Sequence, residues 1–225
     1  MEDPTDLAAA TRRLIRTADG LADADYGAPT ECTGWTRAHV LAHLALNAEG
    51  LAGALRGIVE GRPTPMYASQ ERRDADIASL AAKHPSAIRS RLLGAATDLH
   101  DAVAAVPQDR AGTVVERVPG GATFTADDVT WMRLREVEIH HADLHCGYDR
   151  TEWPAEFALR LVASMLDRPE PALTLRAVDL DRTWSTGEGG PTVSGTAADL
   201  GWWLSGRGDG SDLTSDSGAL PRIGA

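Results

Sequence analysis

The stretch from Trp131 to His145 constrains the fold of this chain more than any other. Wound as a helix at roughly 100° per residue, it gathers Val129, Met132, Val137, Ile139 and Leu144 on one broad apolar face. Glu136 and His140 fall near the middle of that face, one turn apart. Glu138, His141 and His145 fall on its flank or far side. A carboxylate and an imidazole inside an apolar face cost free energy unless something pairs with them. Any fold that buries this helix must therefore also supply a partner for both groups.

The segments before it read as helices. Asp6 to Ala22 carries Leu7, Leu14, Ile15 and Leu21 at helical spacing, and Asp23 to Gly34 is a loop. Thr36 is an N-cap for a second helix to about Ile58, with an apolar stripe of Val40, Leu41, Leu44, Ala48, Leu51 and Leu55. His43 and Asn47 lie on one edge of that stripe and His39 further round. Ser69 to Ala105 is a long helical pattern broken near His84-Pro85-Ser86, because proline disfavours helix in the residue before it. Pro107 to Gly121 reads as a loop with a short strand at Thr113 to Val118. Thr125, followed by Asp127 and Asp128, starts the opening helix, which should end near Cys146-Gly147.

Residues 1–150 are thus expected to form an all-α, up-and-down four-helix bundle. The texture then changes. Pro154 starts a shorter helix to Leu166, and Pro169-Glu170-Pro171 breaks the chain. Strands are expected at Ala172 to Val178, Arg182 to Thr186 and Pro191 to Ser194, then a helix from Ala197 to Leu204 capped by Thr196. Residues 151–225 read as a small α+β domain.

A metal ion would be a sufficient partner for Glu136 and His140. Catalytic zinc commonly takes three ligands from His, Glu or Asp and keeps an open position. Two ligands spaced i and i+4 come from one helix face, and His43, on the edge of a neighbouring buried stripe, is the natural third. The plainer reading is a Glu–His pair that is solvated or hydrogen-bonded to itself, with His43 a border histidine. His141 and His145 form a rival pair, but they face away from the stripe and read as surface or supporting residues, and Asp143 is placed to orient a ligand histidine. The two cysteines, Cys32 and Cys146, sit near helix boundaries and read as structural thiols.

Composition narrows the function. A formal charge of −11 argues against nucleic acid or an anionic membrane as partner. No apolar run approaches the ~18 residues of a membrane span. The acidic opening Met1-Glu2-Asp3 is unlike a secretory signal, and two cysteines build no disulfide framework. A cytoplasmic protein, plausibly monomeric, is expected.

Two segments together resemble a known family. Gly34-Trp35-Thr36-Arg37-Ala38-His39-Val40-Leu41-Ala42-His43-Leu44 with Asn47-Ala48-Glu49 is similar to the second-helix signature of mycothiol-dependent maleylpyruvate isomerases. Met132 to Leu144 resembles the same family's fourth-helix signature, and Arg73-Asp74-Ala75-Asp76-Ile77 fits its third helix. Val193 to Leu200 and Trp203-Leu204-Ser205-Gly206-Arg207 fit its C-terminal pattern. The resemblance implies a DinB-like bundle joined to a domain similar to sterol carrier proteins. It also implies a Zn2+ ion held by His43, Glu136 and His140, and an essential arginine at Arg207.

The family reaction turns maleylpyruvate into fumarylpyruvate with the help of mycothiol. A cis double bond conjugated to carbonyls does not rotate until it becomes a single bond, and a thiolate that adds and later leaves permits the rotation. A thiol of pKa ~8.5 is mostly protonated at neutral pH, so nearby positive charge helps. Arg207 suits a small-molecule dicarboxylate, with Asn47 as a further polar contact or else a helix-edge amide. Arg72 and Arg73 are also candidates for anion contact, although a solvated helix face is the plainer expectation for both. Two rival functions remain at this stage: a mycothiol S-transferase on the same scaffold, and a non-catalytic metal-binding module.

Overall fold

The computed structural model describes residues 4–166 and 172–223. The acidic opening Met1-Glu2-Asp3 and the break at Pro169-Glu170-Pro171 lie outside the described residues. The chain divides into two compact units, Met1–Cys146 and Gly147–Ala225.

The first unit is helical: α1 (Pro4–Gly20), α2 (Arg37–Val59), α3 (Gln70–Ala81), α4 (Pro85–Ala105) and α5 (Val129–Asp143). Helix α2 packs against α3, α4 and α5, and α1 packs against α4 and α5. That enclosure explains the composition of α2. Ala38, Ala42, Ala45, Ala48, Ala52 and Ala54 are all buried beside Val40, Leu41, Leu44, Leu51, Leu55 and Ile58, because a helix with neighbours on several sides needs small residues where they come close. Its start is set by Thr36, whose backbone N–H donates to His39 Nδ1 at 3.4 Å while its hydroxyl lies 2.8 Å from the same nitrogen.

The expected break at His84-Pro85 divides α3 from α4. His84 is extended, with ψ 139°, and Pro85 takes the first helical position, where its missing N–H costs nothing. Strand β1 (Val114–Glu116) falls inside the strand expected there, and it pairs antiparallel with β2 (Thr123–Thr125). Their Val115 and Phe124 are partners across the ladder and both are buried. Thr125 therefore ends a strand instead of capping α5 directly. Its N–H and hydroxyl both donate to Asp128 at 2.7 Å across a single tight turn, and α5 begins at Val129.

Helix α5 also stops earlier than expected. His145 adopts φ +52°, and Arg37 donates to the carbonyls of Leu144 (2.8 Å) and His145 (2.7 Å). Those carbonyls are satisfied from outside the helix, so the turn occurs before Gly147.

The second unit holds α6 (Ala155–Met165), β3 (Thr174–Ala177), β4 (Arg182–Ser185), β5 (Thr192–Gly195), α7 (Ala197–Leu204) and β6 (Thr214–Ser215). The sheet order is β4-β3-β5-β6; β3 and β5 run parallel and the outer pairings are antiparallel. Leu175, Ala177 and Val193 are fully buried, and α7 packs on both central strands and on α6. Thr196 caps α7 by accepting from the Asp199 N–H at 3.1 Å. Among the described residues, no helix is long and apolar enough to cross a membrane.

Candidate metal centre

Three side chains from two packed helices converge where the apolar face of α5 meets α2. His43 Nε2 lies 2.7 Å from Glu136 Oε2, and His140 Nε2 lies 3.6 Å from the same oxygen. One donor atom from each of the three residues falls within 4.8 Å of the others. The His43 and His140 rings meet edge to face, 4.8 Å between centroids, and Trp35 packs on His43 at 5.5 Å. Ligands of a tetrahedral zinc, each about 2.1 Å from the ion, stand roughly 3.4 Å apart. The set fits such an ion once the His43–Glu136 hydrogen bond opens by several tenths of an ångström.

Each of the three side chains is prepared by a different neighbour. Asp143, fully buried one turn further along α5, accepts from His140 Nδ1 at 2.7 Å. That contact fixes the proton on Nδ1 and leaves the Nε2 lone pair turned toward Glu136. Cys32, in the loop before α2, donates its thiol to the same Asp143 oxygen at 3.2 Å and lies 3.9 Å from His140 Nδ1. Sequence position gave no signal of this, because loop residues carry no periodicity that places them against a helix.

His43 is buried, and burial is the larger influence that pushes its pKa down to about 4 against the opposing pull of Glu136. It is a neutral imidazole at ordinary pH, the form that binds metals. Burial opposes the charge on Glu136, but the His43 hydrogen bond and the positive charges around it prevail and hold its carboxyl well below the usual carboxylate range. One of those charges is Arg133, a fully buried guanidinium whose own pKa burial lowers to about 10, so it stays cationic. Arg133 Nη1 donates to the Leu44 carbonyl and to Asn47 Oδ1, each at 2.8 Å. The Asn47 oxygen is thereby committed to holding Arg133.

Several polar residues stand elsewhere than the sequence suggests. Arg73 was expected on a solvated face of α3, yet its side chain is 11% exposed and its Nη2 reaches His43 Nδ1 at 3.2 Å. Arg72, by contrast, is 70% exposed and pairs with Asp76. His141 and Glu138 are buried instead of lying at the surface. His141 Nε2 is 2.8 Å from the Thr17 hydroxyl, and Glu138 accepts from Arg13 at 2.5 Å. The reason is that α5 has neighbours on two sides: α2 covers the face bearing Glu136 and His140, and α1 covers the opposite one. His145 is exposed and pairs with Glu31. Arg207 lies in the second unit, just after α7, with Nη1 donating to the Ser205 carbonyl at 2.7 Å. Trp203 of α7 is buried, and Trp202 packs against Trp153 at 5.8 Å, so both act in packing.

A neutral histidine, an oriented histidine and a charged carboxylate on facing helices make a donor set that could hold a metal ion. The comparisons with known proteins then identify the family. Residues 7–145 match the mycothiol maleylpyruvate isomerase N-terminal domain, and residues 152–225 match the C-terminal domain of the same family. The fold is similar to a crystal structure of a mycothiol-dependent maleylpyruvate isomerase at TM-score 0.88 and 28% identity, covering 97% of this chain and 93% of that one. A histidine-to-alanine mutant of that isomerase gives TM-score 0.87 at the same identity and coverage. A search of curated proteins found no match. The chain belongs to the mycothiol maleylpyruvate isomerase family.

Proposed function

We propose that this protein is a zinc- and mycothiol-dependent cis–trans isomerase acting on maleylpyruvate or a related cis-enoyl dicarboxylate. The observation that carries this reading is the convergence of His43, Glu136 and His140 within 4.8 Å, in a chain that matches the family in both of its domains. We read the helical unit as a DinB-like four-helix bundle of α1, α2, α4 and α5, with α3 carried beside it, and the second unit as the family's sterol-carrier-like α+β domain. Domain limits near 1–150 and 151–225 follow from the same reading.

His43, Glu136 and His140 would hold the metal. Once bound, the ion supplies a positive charge that favours a thiolate or polarises a substrate oxygen. The remaining work falls to the chain itself. Asp143 keeps the His140 proton on Nδ1, so Nε2 stays available. Arg133 keeps a cation behind Glu136 without exposing it to water. Trp35 covers one face of His43 and limits its motion. Arg207 is assigned as a contact for a substrate carboxylate on the strength of the family pattern, and Asn47 as a support of the site through Arg133.

The test follows free thiol during turnover of maleylpyruvate with mycothiol. An isomerase regenerates the thiol, so its concentration stays constant while fumarylpyruvate accumulates. Stoichiometric loss of thiol would replace this reading with an S-transferase. Absence of any thiol-dependent reaction in metal-loaded protein would leave a binding module.

A further inference from the structure

A cavity of about 380 Å³ between α2 and α3 is lined among others by Tyr67, Arg72, Arg73, Arg91, Glu49 and Asp76, and Arg73 connects it to His43. Most of its charges are already paired. Arg91 makes a two-pronged contact with Glu49 at 2.7 and 2.8 Å, and Arg72 reaches Asp76 at 2.9 Å. Arg73 is paired through Nη1, which donates to Asp74 at 2.7 Å, and its Nη2 reaches His43. Its Nε and Tyr67 Oη differ: both are buried atoms with no hydrogen-bond partner among the described residues. The guanidinium sits 5.8 Å from the centre of the Tyr67 ring. Buried donors without acceptors are costly, so two of them on side chains that line one cavity call for an acceptor that enters it.

The chain holds Tyr67 there by its backbone. The N–H groups of Met66 and Tyr67 donate to the carbonyls of Glu116 and Arg117, both at 2.9 Å, extending the ladder beyond β1. Gly50 of α2 makes room: a Cβ at that position would stand 3.1 Å from Tyr67 Cε1 and 3.0 Å from Met66 Cγ. Burial raises the Tyr67 pKa, so its hydroxyl remains an O–H donor at neutral pH.

Arg73 links the cavity to His43. In the neutral imidazole, Nδ1 accepts from Arg73 Nη2 and Nε2–H donates to Glu136. A metal on Nε2 requires that lone pair, which moves the proton to Nδ1. An Nδ1–H cannot accept from Arg73, so that nitrogen of the guanidinium then also needs an acceptor.

We propose that Tyr67 and Arg73 form the subsite that binds one carboxylate of the substrate, next to the metal ligands. The inference rests on the dicarboxylate reading above and assigns residues to it. A carboxylate is the acceptor that suits the pair: two oxygens, one negative charge, and a planar shape that matches the guanidinium edge and the hydroxyl together.

Succinate tests it, since it carries two carboxylates but no double bond to isomerise. Its affinity for the purified, metal-assayed protein is measured by calorimetry alongside Tyr67→Phe, Arg73→Gln and, as a control outside the cavity, Arg62→Gln at an exposed position paired with Glu60. We expect Kd to rise about tenfold or more in Arg73→Gln and about threefold or more in Tyr67→Phe, with Arg62→Gln unchanged. Tyr67→Phe leaves the His43 contact untouched, so weakening there with full metal content cannot come from a lost metal. Michaelis constants for maleylpyruvate should rise in the same order. No succinate binding by the parent protein, which would mean that water alone satisfies these donors, overturns the proposal. So does binding that both variants leave unaltered. Succinate binding that depends on Tyr67 and Arg73 in a protein without isomerase activity upholds the subsite and removes only the assigned reaction.

Discussion

Replacing Asp143 by alanine isolates the part of the proposed metal site that His43, Glu136 and His140 do not themselves provide. Asp143 is fully buried and accepts from His140 Nδ1 at 2.7 Å. Its removal lets the imidazole choose the other tautomer and rotate, and it strands a buried N–H. Losing such a supporting carboxylate costs about 10–100-fold in metal affinity, or about 1.4–2.7 kcal/mol. Stranding the donor adds about 1–3 kcal/mol of instability to the fold. Asp143→Asn keeps an acceptor but loses the charge, so it should fall between the parent and Asp143→Ala. The assay is competition for zinc against a chromophoric chelator, paired with chemical denaturation of each protein. An Asp143→Ala variant whose zinc affinity stays within twofold of the parent would refute the claim that this carboxylate sets the His140 tautomer.

Four further outcomes follow from the geometry. Metal-depleted protein should lose stability as pH falls from about 6.5 toward 4. His43 and His141 both titrate near 4 when folded and near 6.5 when unfolded, so the unfolded chain binds more protons across that window. Each contributes about 2 kcal/mol of loss by pH 5, read from urea midpoints, and a flat profile between pH 8 and 5 would contradict it. Arg13→Ala should destabilise the protein by about 3 kcal/mol in the same assay, because it leaves the Glu138 carboxylate buried without this guanidinium. Gly190→Ala should cost about 3 kcal/mol on thermal melting, since Gly190 has φ +83° and an added Cβ would overlap the Ala172 carbonyl oxygen at 1.7 Å. Arg207→Gln should raise the Michaelis constant for maleylpyruvate at unchanged zinc content; loss of zinc instead would show that this arginine acts through the fold.

How much of this was legible beforehand depends on whether the signal was periodic. Helix phase placed Glu136, His140 and His43 together because α2 and α5 present regular stripes and must share a core. Pro85 marked the boundary between α3 and α4, and Thr196 marked the start of α7, because each acts through its own backbone geometry. The same phase argument misjudged His141 and Glu138, since it assumed one buried face on a helix that α1 and α2 enclose from two sides. Tyr67, Cys32 and Trp35 were invisible as site residues. They reach the site from loops or a helix edge, held by backbone contacts to β1 or by a thiol bond to Asp143, and no spacing rule encodes such approaches. Strand β6, two residues long, was missed because so short a run has no alternation to read. The burial of Arg73 depends on how α3 lies against α2, which the helix pattern alone does not contain.

Zinc content is the measurement that reaches the central claim most directly. Purified protein should carry close to one zinc per chain, and His43→Ala, Glu136→Ala and His140→Ala should each lose it. His141→Ala, which faces Thr17 on the other side of α5, should keep the ion while losing stability. Full zinc retention in all three ligand variants, or loss of zinc in His141→Ala alone, would contradict the account.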